Sequence, residues 1–375
     1  MLQFSKYQGL GNDFVLIEGR GGQLPEAISS PTPDWVRRIC DRRFGVGGDG
    51  IILALPPEGD GELRMRIFNA DGSEAEMCGN GIRCLARFLA DSDGDAPGRS
   101  WPIETPAGMI IPVLQADGQI RVDMGQPMLT PDSVPTTLQV GAQGLPQGTI
   151  DVAGQALDVA SVGMGNPHVV VPCDDLDEIP FERWGEALEI CAEFPAKTNV
   201  HFLQVLGSDS LEIRVWERGA GPTLACGTGA CATLVAAHLL NLCDHTAQVM
   251  LPGGPLLISW PEKDGSVFMT GPAEPVFDGV LVPELVPAAT GGAAPVQASR
   301  SQQTPAPQTT PASASFDCAT DCKDGCRQPE QCLRSAAQQQ VQSLLDSMSL
   351  DAMIDLASDS LEQRTRSRIE KSLGD

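Results

Sequence analysis

Two short segments of this 375-residue chain are written twice. Gly11-Asn12-Asp13-Phe14-Val15 returns as Gly165-Asn166-Pro167-His168-Val169, and Met77-Cys78-Gly79-Asn80-Gly81 returns as Ala225-Cys226-Gly227-Thr228-Gly229. Both pairs recur at nearly the same offset, so the chain reads as a duplication, and each copy must fold as a like unit. At matching distance ahead of each cysteine an alternating apolar run ends in a polar residue: Arg64–Phe68 before Asn69, and Leu211–Trp216 before Glu217. That two-residue period predicts strands, followed by a glycine-rich loop and then a helix starting at Cys-Gly-x-Gly. The first helix carries Ile82, Leu85, Ala86 and Leu89 on one apolar face; the second carries Cys231, Leu234, Val235 and Leu239. The expected fold is α+β: two pseudo-symmetric domains, each a β-sheet or barrel wrapped around a central helix. A cleft between them would hold one cysteine on each wall. The expected halves are residues 1–122 plus 272–285, and residues 123–271.

Charge excludes some functions. Lys+Arg 25 against Asp+Glu 49 leaves a net −24, which opposes nucleic-acid and anionic-membrane binding. No apolar run approaches the roughly 18 residues that a membrane span needs. The opening MLQFSKYQGLGNDFVLIEGR lacks the basic start and apolar core of a signal peptide, so a cytoplasmic location is expected. Twelve cysteines in such a chain are expected as reduced thiols rather than as a disulfide scaffold. From about residue 286 to 316 the chain is poor in charge and large apolar groups, which predicts a disordered linker. Residues 317–375 predict a helical tail with apolar positions at Leu333, Ala337, Val341, Leu344, Leu345 and Met348. Cys318, Cys322, Cys326 and Cys332 in that tail suit a metal, a disulfide-linked helical pair or a partner interface equally, and their spacing matches no familiar ligand pattern.

Two opposed thiols have a specific use. A cysteine at a helix start meets unpaired N–H groups and the positive end of the helix dipole, which lower its pKa toward the thiolate. A thiolate on one face of a carbon and a thiol on the other can remove a proton and return one from the far side, inverting configuration. Cys78 and Cys226 are the candidates because their whole loop is duplicated. Cys84 and Cys231, inside the helices, read as core, and Cys40, Cys173, Cys191 and Cys243 as structural. A four-cysteine metal site from Cys78, Cys84, Cys226 and Cys231 fits zinc spacing poorly. Asparagines at 12, 69, 80, 166 and 199 offer donors and acceptors suited to a zwitterion, although Asn beside Gly also serves turns. Arg218, taken as buried, would grip a distal carboxylate, and Glu217 an ammonium group. No lysine context suggests a pyridoxal Schiff base, and no P-loop is present.

At KYQGLGNDFVLIE, FNADGSEAEMCGNGIRCLARF, VGMGNPHVVV, PAKTNVHFLQV, VWERGAGPTLACGTGACA and GPAEPVFDG the sequence resembles the diaminopimelate epimerase family, over essentially residues 1–280. The resemblance implies an isomerase without cofactor or metal that interconverts LL- and meso-2,6-diaminoheptanedioate in lysine and peptidoglycan-precursor biosynthesis. It implies Cys78 and Cys226 as the acid–base pair and His168 and Glu217 as groups that tune their pKa values. Substrate contacts carry over to Asn12, Asn69, Gly79, Asn80, Asn166, Asn199, Glu217, Arg218, Gly227 and Thr228. One departure is Gly50, in GVGGDG, where many members carry a substrate-binding glutamine. The family likeness suggests a homodimer to which the segment around Phe277 contributes. The alternatives are a proline or hydroxyproline racemase of the same fold type, which would differ in the residues around both cysteines, and a non-catalytic amino-acid-binding relative, which would be expected to lose one cysteine or Arg218.

Overall fold

The computed structural model describes residues 2–22, 24–152, 154–262 and 265–287. All of these belong to the first of the two units into which the chain divides, Met1–Ala294. The expected linker beyond residue 287 and the tail with its four cysteines lie outside the described residues.

The first half builds β1 (Leu2–Gly9), β2 (Asn12–Glu18), β3 (Gly50–Leu55), β4 (Leu63–Asn69), β5 (Glu74–Ala75), β6 (Ile103–Thr105) and β7 (Gly108–Ile110). The second sheet takes β8 (Val113–Leu114), β9 (Ile120–Asp123), β10 (Gln147–Val152), β11 (Gln155–Gly163), β12 (Pro167–Cys173) and β13 (Asn199–Gly207). It continues with β14 (Ser210–Glu217), β15 (Gly221–Thr223), β16 (Thr246–Leu251), β17 (Gly254–Ser259) and β18 (Phe268–Gly271). A last strand, β19 (Glu274–Leu281), then returns to the first sheet and pairs antiparallel with β1, Leu2 opposite Leu281. The chain passes between sheets after Ile110, because β9 pairs with β18 (Ile120 opposite Gly271, Asp123 opposite Phe268). The boundary expected at 122/123 therefore falls inside β9.

The duplication is visible in strand order. Path β1-β2-β3-β4-β6-β7 is matched by β11-β12-β13-β14-β16-β17. In both, the first pair is antiparallel, the second parallel, the third antiparallel, the fourth parallel and the last antiparallel. Both sheets are open paths of strands among the described residues.

Among the described residues five α-helices accompany them: α1 (Glu26–Ser29), α2 (Pro33–Cys40), α3 (Gly79–Asp93), α4 (Phe181–Glu189) and α5 (Gly227–Leu239). β3 reads Gly-Ile-Ile-Leu-Ala-Leu and is buried along its whole length. Its alternation sends Ile51, Leu53 and Leu55 toward α2, and Ile52 and Ala54 toward α3. Each such isoleucine or leucine contributes on the order of 1.5–3 kcal/mol when withdrawn from water. Ile82, Leu85, Ala86 and Leu89 of α3 are fully buried as expected, yet burial does not stop at one face. In α5 residues 229–237 are all buried, so each central helix is wrapped rather than laid on a sheet. The two helices share one continuous apolar cluster, which joins the halves. α3 ends at Gly94 in the left-handed conformation (φ 71°), a backbone that glycine adopts without steric penalty.

Candidate active site

Cys78 and Cys226 are the N-caps of α3 and α5, as the repeated loop predicts. A cleft of about 780 Å³ runs between the two helix starts, and both cysteines line it. So do Asn12, Asn69, Gly79, Asn80, Asn166, Glu217, Gly227 and Thr228. Gly11 (φ 83°) and Gly165 (φ 85°) explain how the repeated Gly-Asn pairs reach it. Each glycine takes a left-handed turn that L-residues resist, and the following asparagine is delivered to the cleft.

The first wall is tightly bonded. The Gly81 N–H donates to Cys78 Sγ at 3.4 Å, and Asn12 Oδ1 lies 4.0 Å from the same sulfur. Asn80 Nδ2 donates to Asn12 Oδ1 (3.2 Å) and to the Ala225 carbonyl of the other half (3.4 Å). Asn12 Nδ2 in turn donates to Asp49 Oδ2 at 2.7 Å. On the second wall the Thr228 hydroxyl lies 3.6 Å from Cys226 Sγ, and the Thr223 hydroxyl donates to Glu217 Oε1 at 2.7 Å.

The thiols do not have the lowered pKa expected from their helix-start position. Burial pushes the Cys78 thiol up, and the N–H groups of Gly81 and Asn80 recover only part of that. Burial and, after it, the facing Glu217 carboxylate push Cys226 up as well, with Thr228 opposing. Glu217 is itself raised by burial. Desolvation outweighs the helix terminus at both thiols, and a raised thiol leaves a more basic thiolate once the proton is gone.

Three expected residues do not line the cleft. His168 is fully buried behind Asn166, with Nε2 2.7 Å from Asn166 Oδ1 and Nδ1 2.9 Å from His201 Nε2. Burial first, and the His201 and Arg218 charges after it, hold His168 well below the usual histidine range; burial alone brings His201 to about 3. Both rings are therefore neutral. With Asn166 Oδ1 accepting, His168 Nε2 carries the proton, and His201 donates to His168 Nδ1. Asn199 donates to the Pro167 carbonyl (2.9 Å) and accepts from the Arg218 N–H (3.0 Å), which fixes the turn after β14. Arg218 is exposed rather than buried, because it lies on that turn, and its guanidinium donates to the Ala196 carbonyl at 3.1 Å.

Arg42 and Asp49 line the cleft without having been singled out from sequence. Arg42 donates to Asp13 at 2.6 and 2.9 Å and to Asp49 at 2.7 Å. The parallel β2–β3 register, Phe14 opposite Gly50, brings Asp49 beside Asn12. A side chain at Gly50 would meet the Phe68 carbonyl at 2.5 Å, so the glutamine of many family members has no room here. Among the described residues one group of metal-donor atoms falls within 4.8 Å, those of His168, His201 and Cys226. Both His168 nitrogens are already bonded and Cys226 Sγ meets the Thr228 hydroxyl, which leaves His201 Nδ1 as the one donor of this group without a partner.

A duplicated architecture, with one sheet and one central helix in each half, defines a fold class. A Bacillus anthracis phenazine biosynthesis protein of the PhzF family has it, with a TM-score of 0.53 at 17% identity over 75% of this chain and 99% of its own. So does a probable proline racemase from Agrobacterium radiobacter, with a TM-score of 0.53 at 14% identity over 76% of this chain and 93% of its own. Within that class the family model described as diaminopimelate epimerase matches residues 4–130 and 160–276. A curated diaminopimelate epimerase from Prochlorococcus marinus (strain MIT 9313) is 67% identical over 287 residues, 76% of this chain and 95% of its own. Another from Acaryochloris marina is 53% identical over 281 residues, 74% of this chain and 98% of its own. The chain belongs to the diaminopimelate epimerase family. No helix among the described residues is long and apolar enough to cross a membrane.

Proposed function

We propose that this protein interconverts LL- and meso-2,6-diaminoheptanedioate by proton transfer between Cys78 and Cys226. The observation that carries the reading is the pair of thiols at two pseudo-symmetric helix starts on one cleft. In one direction a thiolate takes the α-proton, the electron pair delocalises into the adjacent carboxylate, and the opposite thiol protonates the other face. The first sulfur ends as thiol and the second as thiolate, so charge is conserved and the pair is set for the reverse reaction. Backbone N–H groups at both helix starts face the carboxylate as its charge develops. Glu217 and the asparagine oxygens face the ammonium groups, whose charge offsets the cost of forming a thiolate in a buried site. Arg218, exposed on the turn after β14, is the cation assigned to the distal carboxylate. This chemistry calls for no cofactor.

We infer a cytoplasmic location, where the thiols would stay reduced, and a homodimer. β19 is the edge strand of its sheet and shows Val276, Phe277 and Val280 at about half exposure, with Phe277 stacked edge-on against Phe4 at 5.9 Å. An exposed apolar edge of this kind is a surface for a second copy.

The test is incubation with LL-diaminopimelate and, separately, with L-proline in deuterated solvent, followed by chiral chromatography and mass spectrometry. Interconversion of diaminopimelate with deuterium entering the product isomer first is expected. Turnover of proline alone, or retention of the substrate proton in the first product, would refute the reading.

A further inference from the structure

Arg83 is a fully buried cation on the second turn of α3. Its guanidinium lies where the two halves join. Nε donates to the Pro272 carbonyl (3.2 Å), Nη1 to the Gly79 carbonyl (3.2 Å) and toward Met269 Sδ (3.4 Å), and Nη2 to Asn80 Oδ1 (3.0 Å). Gly9 and Gly271 flank it so closely that a Cβ at either would sit 3.3–3.4 Å from its nitrogens. Every one of these acceptors is neutral, and no carboxylate among the described residues pairs with it. Burying an unpaired guanidinium is costly, and the near end of a helix dipole is positive, so its position is doubly unfavourable. The duplication does not demand it either, since the residue matching Arg83 in the second loop is Cys231.

The bonding shows what the charge does. Because Asn80 Oδ1 accepts from Arg83, Asn80 Nδ2 must point at Asn12 Oδ1 and at the Ala225 carbonyl, one residue before Cys226. Asn12 Nδ2 is then turned to Asp49. One directed chain runs from a buried cation through two amides to a carboxylate, passing beside Cys78 and touching the opposite wall. The titratable groups around it are Cys78 and Cys84 of α3, Cys231 of α5, Glu217 of β14, and Asp13 of β2 with its partner Lys6. The Arg83 charge favours the thiolate at Cys78, whereas the Glu217 carboxylate opposes it at both thiols.

We propose that Arg83 is a positioning residue of the epimerisation, holding Asn80 and Asn12 in one orientation and biasing the negative charge of the thiol pair toward Cys78. This rests on the two-thiol reading of the cleft, yet its test needs no substrate. In the full-length wild-type protein, iodoacetamide labelling with peptide mapping across pH should modify Cys78 ahead of Cys226. In Arg83→Gln, which keeps a donor but no charge, the Cys78 labelling midpoint should rise by about one pH unit, a roughly tenfold slower rate near neutrality. Arg83→Lys should restore that midpoint but not turnover, because a lysine cannot bond Gly79, Asn80 and Pro272 together. Labelling of Cys226 first in the wild type, or an unmoved Cys78 midpoint in folded Arg83→Gln, would overturn the proposal. Cys78 is also the more exposed of the two thiols, so the shift of its midpoint among wild type, Arg83→Gln and Arg83→Lys decides the proposal, and a failure of diaminopimelate turnover leaves the labelling result standing.

Discussion

Gly81 and Gly229 occupy the same place in the two copies of the Cys-Gly-x-Gly loop, so one substitution can be made twice in matched settings. A Cβ at Gly229 would lie 2.1 Å from His201 Cε1 and 2.7 Å from its Nε2. That ring is fully buried and bonded to His168, so it has no free direction in which to turn. A Cβ at Gly81 would lie 2.8 Å from the terminal methyl of Ile67 and 3.3 Å from that of Ile52, flexible ends that can swing away. Alanine in place of a helical glycine gains about 1 kcal/mol in either helix. Overpacking against a rigid partner costs about 1–3 kcal/mol. Gly229→Ala is therefore expected to be less stable than Gly81→Ala by on the order of 1–2 kcal/mol. At about 2–4 °C per kcal/mol for a body of this size, that is a melting-temperature gap of roughly 2–8 °C. Gly229→Ala should also lose more activity, because pushing His201 moves His168 and with it the Asn166 carboxamide on the cleft wall. Calorimetry and an isomer assay on both variants test this. Equal melting temperatures, or a more stable Gly229→Ala, would show that the histidine pair is not held as described.

Cys78→Ala and Cys226→Ala should each reduce epimerisation about 10²- to 10⁴-fold with the melting temperature little changed, and an active single variant would show that one thiol suffices. Stability should fall with acidity between about pH 6.5 and 3, because unfolded His201 binds a proton below 6.5 while the folded ring, at about 3, does not. The slope this adds is about 1.4 kcal/mol per pH unit, and His201→Gln should remove it in denaturant titrations at several pH values. Phe277→Asp places a charge on the exposed edge of β19 and should yield a monomer by light scattering; an unchanged dimer would move the interface elsewhere.

Much of the site could be read from the repeat alone. A duplicated Cys-Gly-x-Gly loop locates two helix starts, and the strand before each places Asn69 and Glu217 at the rim of the cleft. Sequence pattern could not foresee Arg42 and Asp49, since their place depends on the register of the parallel β2–β3 pair. The electrostatics were misread for a related reason. A helix start lowers a thiol pKa and burial raises it, and only the packed structure shows that burial prevails at Cys78 and Cys226. Arg218 was misplaced because a charged residue next to a strand end can face either way, and here the turn held by Asn199 sends it outward. His201 carried no signal of its own, as a single histidine in an apolar strand, until its bond to His168 could be seen.

The pairing of β19 with β1 has a consequence for how the chain is made. Leu2 and Leu281 lie side by side in the sheet although almost the whole folded body separates them along the chain. A ribosome releases the N-terminal residues first, yet their edge strand emerges last, after every strand of the second sheet. Until then β1 offers an unsatisfied row of backbone groups on one side, and Phe4 lacks the ring of Phe277 that packs on it. Contacts of such long sequence separation are slow to form because the loop between them must close. The half that is synthesised first is thus completed last, and its closing strand is the one that leaves an apolar edge exposed.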